Sequence, residues 1–164
     1  DQAKTFIYAF MYGAGASKIG KIVGKGAKEG QQLIDRFLSN MPALKRVRDS
    51  VTETAKRGKI RGIDGRLLHV RSPHSALNTL LQGAGAVVCK LWLINMNKRI
   101  VQTGVDAKLV ASIHDEYQYE VAKKDVKRFG SITKDAMKDT EHQLKMKCPL
   151  DSEWKEGTTW AETH

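Results

Sequence analysis

Apolar positions along the 164-residue chain follow two rhythms. Through the first third they recur at helical spacing. Residues 2–12 predict a helix stopped by Gly13-Ala14-Gly15, because glycine just past the last periodic position ends a helix. Ser17 to Val23 predicts a short helical turn between glycines, and 27–39 predicts an amphipathic helix with Leu33, Ile34, Phe37 and Leu38 on its apolar side. Pro42 suits the first turn of a helix over 42–56 whose outer face is basic. The rhythm then shortens. Lys59–Val70 predicts a hairpin around Asp64-Gly65, a strong turn dipeptide. Ser72-Pro73 predicts the capped start of a long helix running to Val101. Leu109–Ile113 and Tyr117–Val121 alternate as short strands joined across His114-Asp115-Glu116. A helix from Asp125 to Gln143, a short strand near Met146–Leu150 and an irregular tail complete the chain, without internal repeats or low-complexity stretches. The fold class is α+β, helices first and an antiparallel sheet later.

Composition adds a direction. With 41% hydrophobic residues and only 3 prolines this is a folded domain, long enough to bury a core without staples. Two cysteines, Cys89 and Cys148, make neither a disulfide framework nor a cysteine-rich zinc site, which favours a reducing, cytoplasmic setting. No apolar run is expected to reach a membrane span, and no signal or transit pattern opens the chain, so neither a membrane nor a secreted protein is expected. The net charge of +10 is lopsided: residues 1–82 hold 15 Lys+Arg and 6 Asp+Glu, whereas 83–164 hold 13 and 12. Lys45, Arg46, Arg48, Lys56, Arg57, Lys59, Arg61, Arg66 and Arg71 cluster against Asp49, Glu53 and Asp64. Such a surface attracts phosphate by counterion release and points to nucleic acid, although a solvated face that serves solubility has the same look.

Three constellations carry candidate chemistry. Lys4, Tyr8 and Tyr12 fall four apart and share one face of a helix, where an ammonium and two rings could hold a nucleoside triphosphate. An ordinary amphipathic helix with half-buried tyrosines has the same spacing. His74, Asn78 and Gln82 repeat that spacing on the long helix; side chains of this kind can donate to the acceptors every base pair shows in the minor groove, or simply face solvent or nearby loops. Asp115 at a tight strand turn is held as a Mg²⁺ ligand needs, or else stabilises the turn.

In this order AKTFIYAFMYGAG, DGRLLHVRSPHSALNTLLQGAGA and IHDE resemble the C-terminal part of family A DNA polymerases, and within them the replicative enzymes of short-tailed phages of the T-odd type. The resemblance runs through most of the chain, down to Trp160-Ala161 and the terminal His164. It implies part of the right-hand polymerase fold, with fingers over 1–58 and palm over 59–164, including a long palm helix. It implies template-directed addition of dNTPs to a primer 3′ end by two-metal phosphoryl transfer. Lys4 would meet the triphosphate, Tyr12 would stack near the templating pair, and Tyr8 stands where many relatives have Phe, a difference associated with weaker discrimination against 3′-deoxynucleotides. His74, Asn78, Gln82 and Arg71 would contact primer–template DNA, His114 the primer terminus, and Asp115 would be one of two aspartates holding two Mg²⁺ ions. The setting implied is the cytoplasm of an infected bacterium.

The departures are equally concrete. The family's fingers arginine would fall at position 0, and the second metal-binding aspartate belongs to a strand upstream of the fingers. Thumb and proofreading exonuclease are absent, and Gly104–Lys108 is short for the phage type. Asp1 enters a helical pattern without a cap and reads as a cut edge, whereas WAETH after Gly-Thr-Thr reads as a natural end. The chain is therefore expected to be inactive alone and to need an upstream polymerase segment in cis or in trans. Two other readings stay open: a non-catalytic primer–template-binding module or decayed fragment, and an unrelated metal hydrolase built on His114, Asp115 and Glu116.

Overall fold

A computed structural model describes residues 2–163; Asp1 and His164, both singled out by the sequence, lie outside the described residues. The chain forms two compact units, Asp1–Ala84 and Gly85–His164. In the first, α1 (Gln2–Met11), α2 (Ala16–Ile22), α3 (Ala27–Asn40) and α4 (Pro42–Ala55) lead into the strands β1 (Lys59–Arg61) and β2 (Leu67–His69). A 3-10 turn, Pro73–Ser75, then opens the long helix α5 (Ala76–Thr103), and the division between the units falls inside that helix. The second unit continues with β3 (Ala107–Ile113), β4 (Glu116–Val121), a 3-10 turn at Lys123–Asp125, α6 (Val126–Gln143) and the short α7 (Trp160–Thr163).

The first unit is built on aromatic and backbone contacts. Phe6 and Phe10 of α1 meet Phe37 of α3 edge-on, with ring centroids 5.3 and 5.2 Å apart. Ile19, Ile34, Leu38 and Leu77 are buried in the same cluster, so the apolar stripe read from α3 does face the core. α2 and α3 approach at their glycines: a Cβ on Gly30 would sit 2.0 Å from the Ala16 carbonyl oxygen, and one on Gly20 2.1 Å from that of Gly26. A smaller cluster of Ala55, Ile60, Val70 and Ala76 seats the antiparallel β1–β2 hairpin, whose register pairs Ile60 with Leu68.

In the second unit β3 pairs antiparallel with β4 from Ala107–Val121 to Ile113–Glu116, with a bulge between Leu109 and Ala111. Buried Trp92, Met96, Ala136 and Met137 join α5 to α6, and Tyr117 and Tyr119 of β4 pack on them. The Trp92 indole donates to the Thr133 carbonyl at 2.8 Å, which satisfies the one polar atom of a buried ring. Arg99 forks onto Asp139 at 2.7 and 3.0 Å, and buried Asn95 donates to Thr140 at 3.0 Å.

Four expectations change. Ser72 stands at the N-cap, but its side chain makes no capping bond; its carbonyl instead accepts from Ser75 Oγ at 2.8 Å. No strand forms near Met146–Leu150: Lys145 turns the chain with φ 51°, and the backbone groups of Leu150 are taken by Glu141 (2.6 Å) and Lys138 (2.8 Å) of α6, which leaves no ladder partner. The tail is not wholly irregular, because Glu162 accepts from the Thr158 and Thr159 amides at 2.5 and 3.3 Å and closes α7. Finally, Pro73–Thr103 contains an 18-residue window of mean hydropathy 1.4, so by length and composition one helix could cross a membrane. Asn78, Thr79, Gln82 and the cation Lys90 interrupt the apolar residues of this helix, so no unbroken run in the sequence reaches that length. Only 11% of that window is buried within the described chain.

Gly30→Ala gains about 1 kcal/mol of helix propensity, yet its methyl meets backbone that cannot rotate away, and such overpacking costs about 1–3 kcal/mol. We expect net destabilisation, read as a lower urea midpoint; an unchanged midpoint would mean α2 and α3 can slide apart freely. Burial first, and then the neighbouring Tyr117, push the Tyr119 phenol up to about 12. The folded state thus holds this proton more tightly, so the contribution is intact below the ordinary tyrosine value and is lost as pH rises toward about 12. Denaturant midpoints across that alkaline window should fall less steeply in Tyr119→Phe than in the parent chain.

Candidate active site and nucleic-acid interface

The aromatic face of α1 determines its polar face. With Phe6 and Phe10 turned inward, Tyr8 and Tyr12 are 54% and 61% exposed, and Lys4 is exposed with its Nζ 5.9 Å from the centre of the Tyr8 ring. The half-buried tyrosines of an ordinary amphipathic helix are therefore not what forms. α1 ends at Met11, and just beyond it Gly13 has a φ of +80°, which suits glycine, with its Cβ position 3.1 Å from the His74 carbonyl oxygen. The end of the Lys4–Tyr8–Tyr12 face thus lies close to the backbone of His74.

His74 sits in the 3-10 turn and not on α5, a correction to the shared helix face, while Asn78 and Gln82 lie on α5 itself. His74 and Gln82 are exposed and Asn78 is half-buried; among the described residues none of the three side chains makes a hydrogen bond, so local loop bonds do not occupy them. Arg71 is exposed beside them in sequence. In the basic cluster the acids neutralise only their near neighbours: Asp49 pairs with Lys45 at 2.8 Å, Glu53 with Lys56 at 2.6 Å and Asp64 with Arg66 at 2.5 Å. Arg46, Arg48, Arg57, Lys59, Arg61 and Arg71 keep no acidic partner among the described residues, with Arg48 lying 5.5 Å over the Phe10 ring. A positive face survives local pairing, and such a face binds phosphates with marked salt dependence.

Asp115 belongs to the second unit. The β3–β4 connection is only His114-Asp115, with Glu116 already paired to Ile113, and His114 takes a left-handed φ of 53°. The Asp115 carboxylate is exposed and accepts no hydrogen bond among the described residues, so it does not stabilise the turn. It borders a cleft of about 860 Å³ whose walls include Trp92, Tyr117, Tyr119, Phe129 and Trp154. Burial, and secondarily the Asp115 charge, push the Cys89 thiol up. The sequence did not point to the tail as a wall of this cleft; its two tryptophans, Trp154 and Trp160, in an otherwise polar stretch were the signal.

A carboxylate of this kind is a hard oxygen donor suited to Mg²⁺. Among the described residues, however, no three His, Cys, Asp or Glu side chains converge as a metal site.

The chain is 42% identical to the DNA-directed DNA polymerase of Enterobacteria phage T3 and 41% identical to that of Escherichia phage T7, in each case over its whole length. It spans about a quarter of those relatives, 26% of each. Among solved structures, the fold matches the POL domain of Pol1 from M. smegmatis, in complex with DNA primer-template and dNTP, with a TM-score of 0.78 at 19% identity over 85% of this chain and 27% of that one. The description "DNA polymerase family A" matches residues 1–162, and with that extent the chain belongs to DNA polymerase family A.

Proposed function

We propose that these residues are the fingers, 1–58, and part of the palm, 59–164, of a DNA-directed DNA polymerase that extends a primer with dNTPs. The observation that carries the reading is the exposed Lys4–Tyr8–Tyr12 face, held outward by Phe6 and Phe10. Lys4 would meet the triphosphate and offset charge developing in phosphoryl transfer. Tyr12 would stack beside the templating pair, and Tyr8 would border the sugar. The unbonded donors of His74, Asn78 and Gln82 suit the minor-groove acceptors that all base pairs share, and Arg71 with the basic face suits the phosphate backbone. His114 would approach the primer terminus from its turn.

Asp115 would supply one carboxylate toward two Mg²⁺ ions, which provide charge neutralisation and an activated primer hydroxyl. Its partner aspartate must come from a polymerase segment upstream, in cis or in trans, together with the rest of the palm, the thumb and the exonuclease. The 164 residues alone are proposed to be inactive, and the setting is the cytoplasm of the phage's bacterial host. The positive face also fits a module that only binds primer–template, and incorporation by the parent assembly separates the two readings.

Assembled with the upstream segment, Asp115→Ala should slow single-nucleotide incorporation by at least about 10²-fold, as loss of a key electrostatic group does, while primer–template binding by anisotropy stays intact. Incorporation that persists would remove Asp115 from the metal site. Tyr8→Phe should raise discrimination against dideoxynucleotides in competition assays; an equal ratio would remove Tyr8 from the sugar edge.

A further inference from the structure

We infer that Gln118, held by Thr163, is a positioning residue for the Asp115–Glu116 turn. The inference rests on the polymerase reading but on atoms that reading does not use. Side chains alternate along β4, so Glu116 and Gln118 share one face, while Tyr117 and Tyr119 pack on the core cluster from the other. A glutamine amide has one accepting end and one donating end. Here Gln118 Oε1 accepts from the Thr163 hydroxyl at 3.2 Å, and Nε2 donates to the Glu116 carboxylate. These two partners fix which way the amide points, because the reversed amide would set its oxygen against a carboxylate. The Thr163 hydroxyl also lies 3.1 Å from the Trp160 carbonyl, so its hydrogen is shared in a three-centre bond.

The tail that delivers Thr163 is anchored independently. A Cβ on Gly130 of α6 would lie 2.3 Å from Trp154 Cε2, so the indole lies directly on the helix backbone at its glycine. Farther along, the Glu162 carboxylate closes α7, and the Thr158 and Thr159 donors hold its carboxyl below the ordinary range. The relay Thr163–Gln118–Glu116 therefore runs from a fixed tail to the residue following Asp115. Tethered in this way, the Glu116 carboxylate is held on the Gln118 face of β4, which steadies the residue that directly follows Asp115.

The test uses the assembled polymerase, this segment joined by its upstream part. Gln118→Leu removes both bonds at similar size, Thr163→Val removes the hydroxyl, and Thr163→Ser keeps it. Gln118→Leu and Thr163→Val should each lower kcat about tenfold, the scale of lost outer-shell support, with KM for dNTP and primer–template affinity unchanged. Thr163→Ser should behave as the parent, and the double variant should be no slower than Gln118→Leu, since both act through one relay. Hydrogen exchange should quicken at 113–118 but not in α6. An unchanged kcat in Gln118→Leu, additive losses in the double variant, or equal damage from Thr163→Ser and Thr163→Val overturns the relay. If Gln118→Leu does not fold, Thr163→Val against Thr163→Ser decides alone. An inactive parent assembly overturns the polymerase reading and the relay with it; an active parent with indifferent variants overturns the relay only.

Discussion

Phe6 and Phe10 of α1 close onto Phe37 of α3, and that three-ring contact decides where every other side chain of the helix points. Burying a phenylalanine contributes roughly 1.5–3 kcal/mol, whereas an exposed ion pair such as Lys45–Asp49 contributes about 1 kcal/mol or less. The rings therefore set the rotation of α1, and the polar groups follow. Lys4, Tyr8 and Tyr12 are exposed because the opposite face cannot be. The close backbone approach of α2 to α3 at Gly20 and Gly30 keeps Phe37 within reach. The turn of the chain at Gly13 brings the end of that face to the backbone of His74.

The same logic holds in the second unit with different chemistry. Trp92 is tied to the backbone of α6 through Thr133, and its ring centre lies 5.2 Å from that of Tyr117. Tyr119 packs on Phe129 at 4.7 Å. β4 is thus nailed down by alternate residues, and the intervening Glu116 and Gln118 lie on its other face. A two-residue connection leaves Asp115 little freedom, so its carboxylate is presented by rigid strands rather than by a long loop. Val110, at the irregularity between Leu109 and Ala111, is 63% exposed, and among the described residues β3 pairs with β4 alone.

Much apolar surface stays uncovered within these residues. Val101 is 75% exposed, Leu67 55% and Ile94 49%, and the long helix is buried over only a small part of its most apolar window. Helices that are apolar on all sides belong inside a larger body or a bilayer. Under the proposed function, the upstream polymerase segment would supply the cover for this surface.

The sequence by itself determined most of the element order, because hydrophobic period, glycine stops and Pro at first turns are local signals. It also determined the family, because Lys4-Tyr8-Tyr12, His74-Asn78-Gln82 and His114-Asp115 stand in one order along one chain. It misled at Met146–Leu150, where a plausible strand lost its backbone partners to Glu141 and Lys138. It put His74 on the long helix, although a 3-10 turn precedes it. Only the tertiary structure decided that Tyr8 and Tyr12 face outward, because the phenylalanines that bury the other face lie on two different helices. Only it joined Thr163 to Gln118 across 45 residues, since side-chain hydrogen bonds between distant segments leave no periodic trace in a sequence.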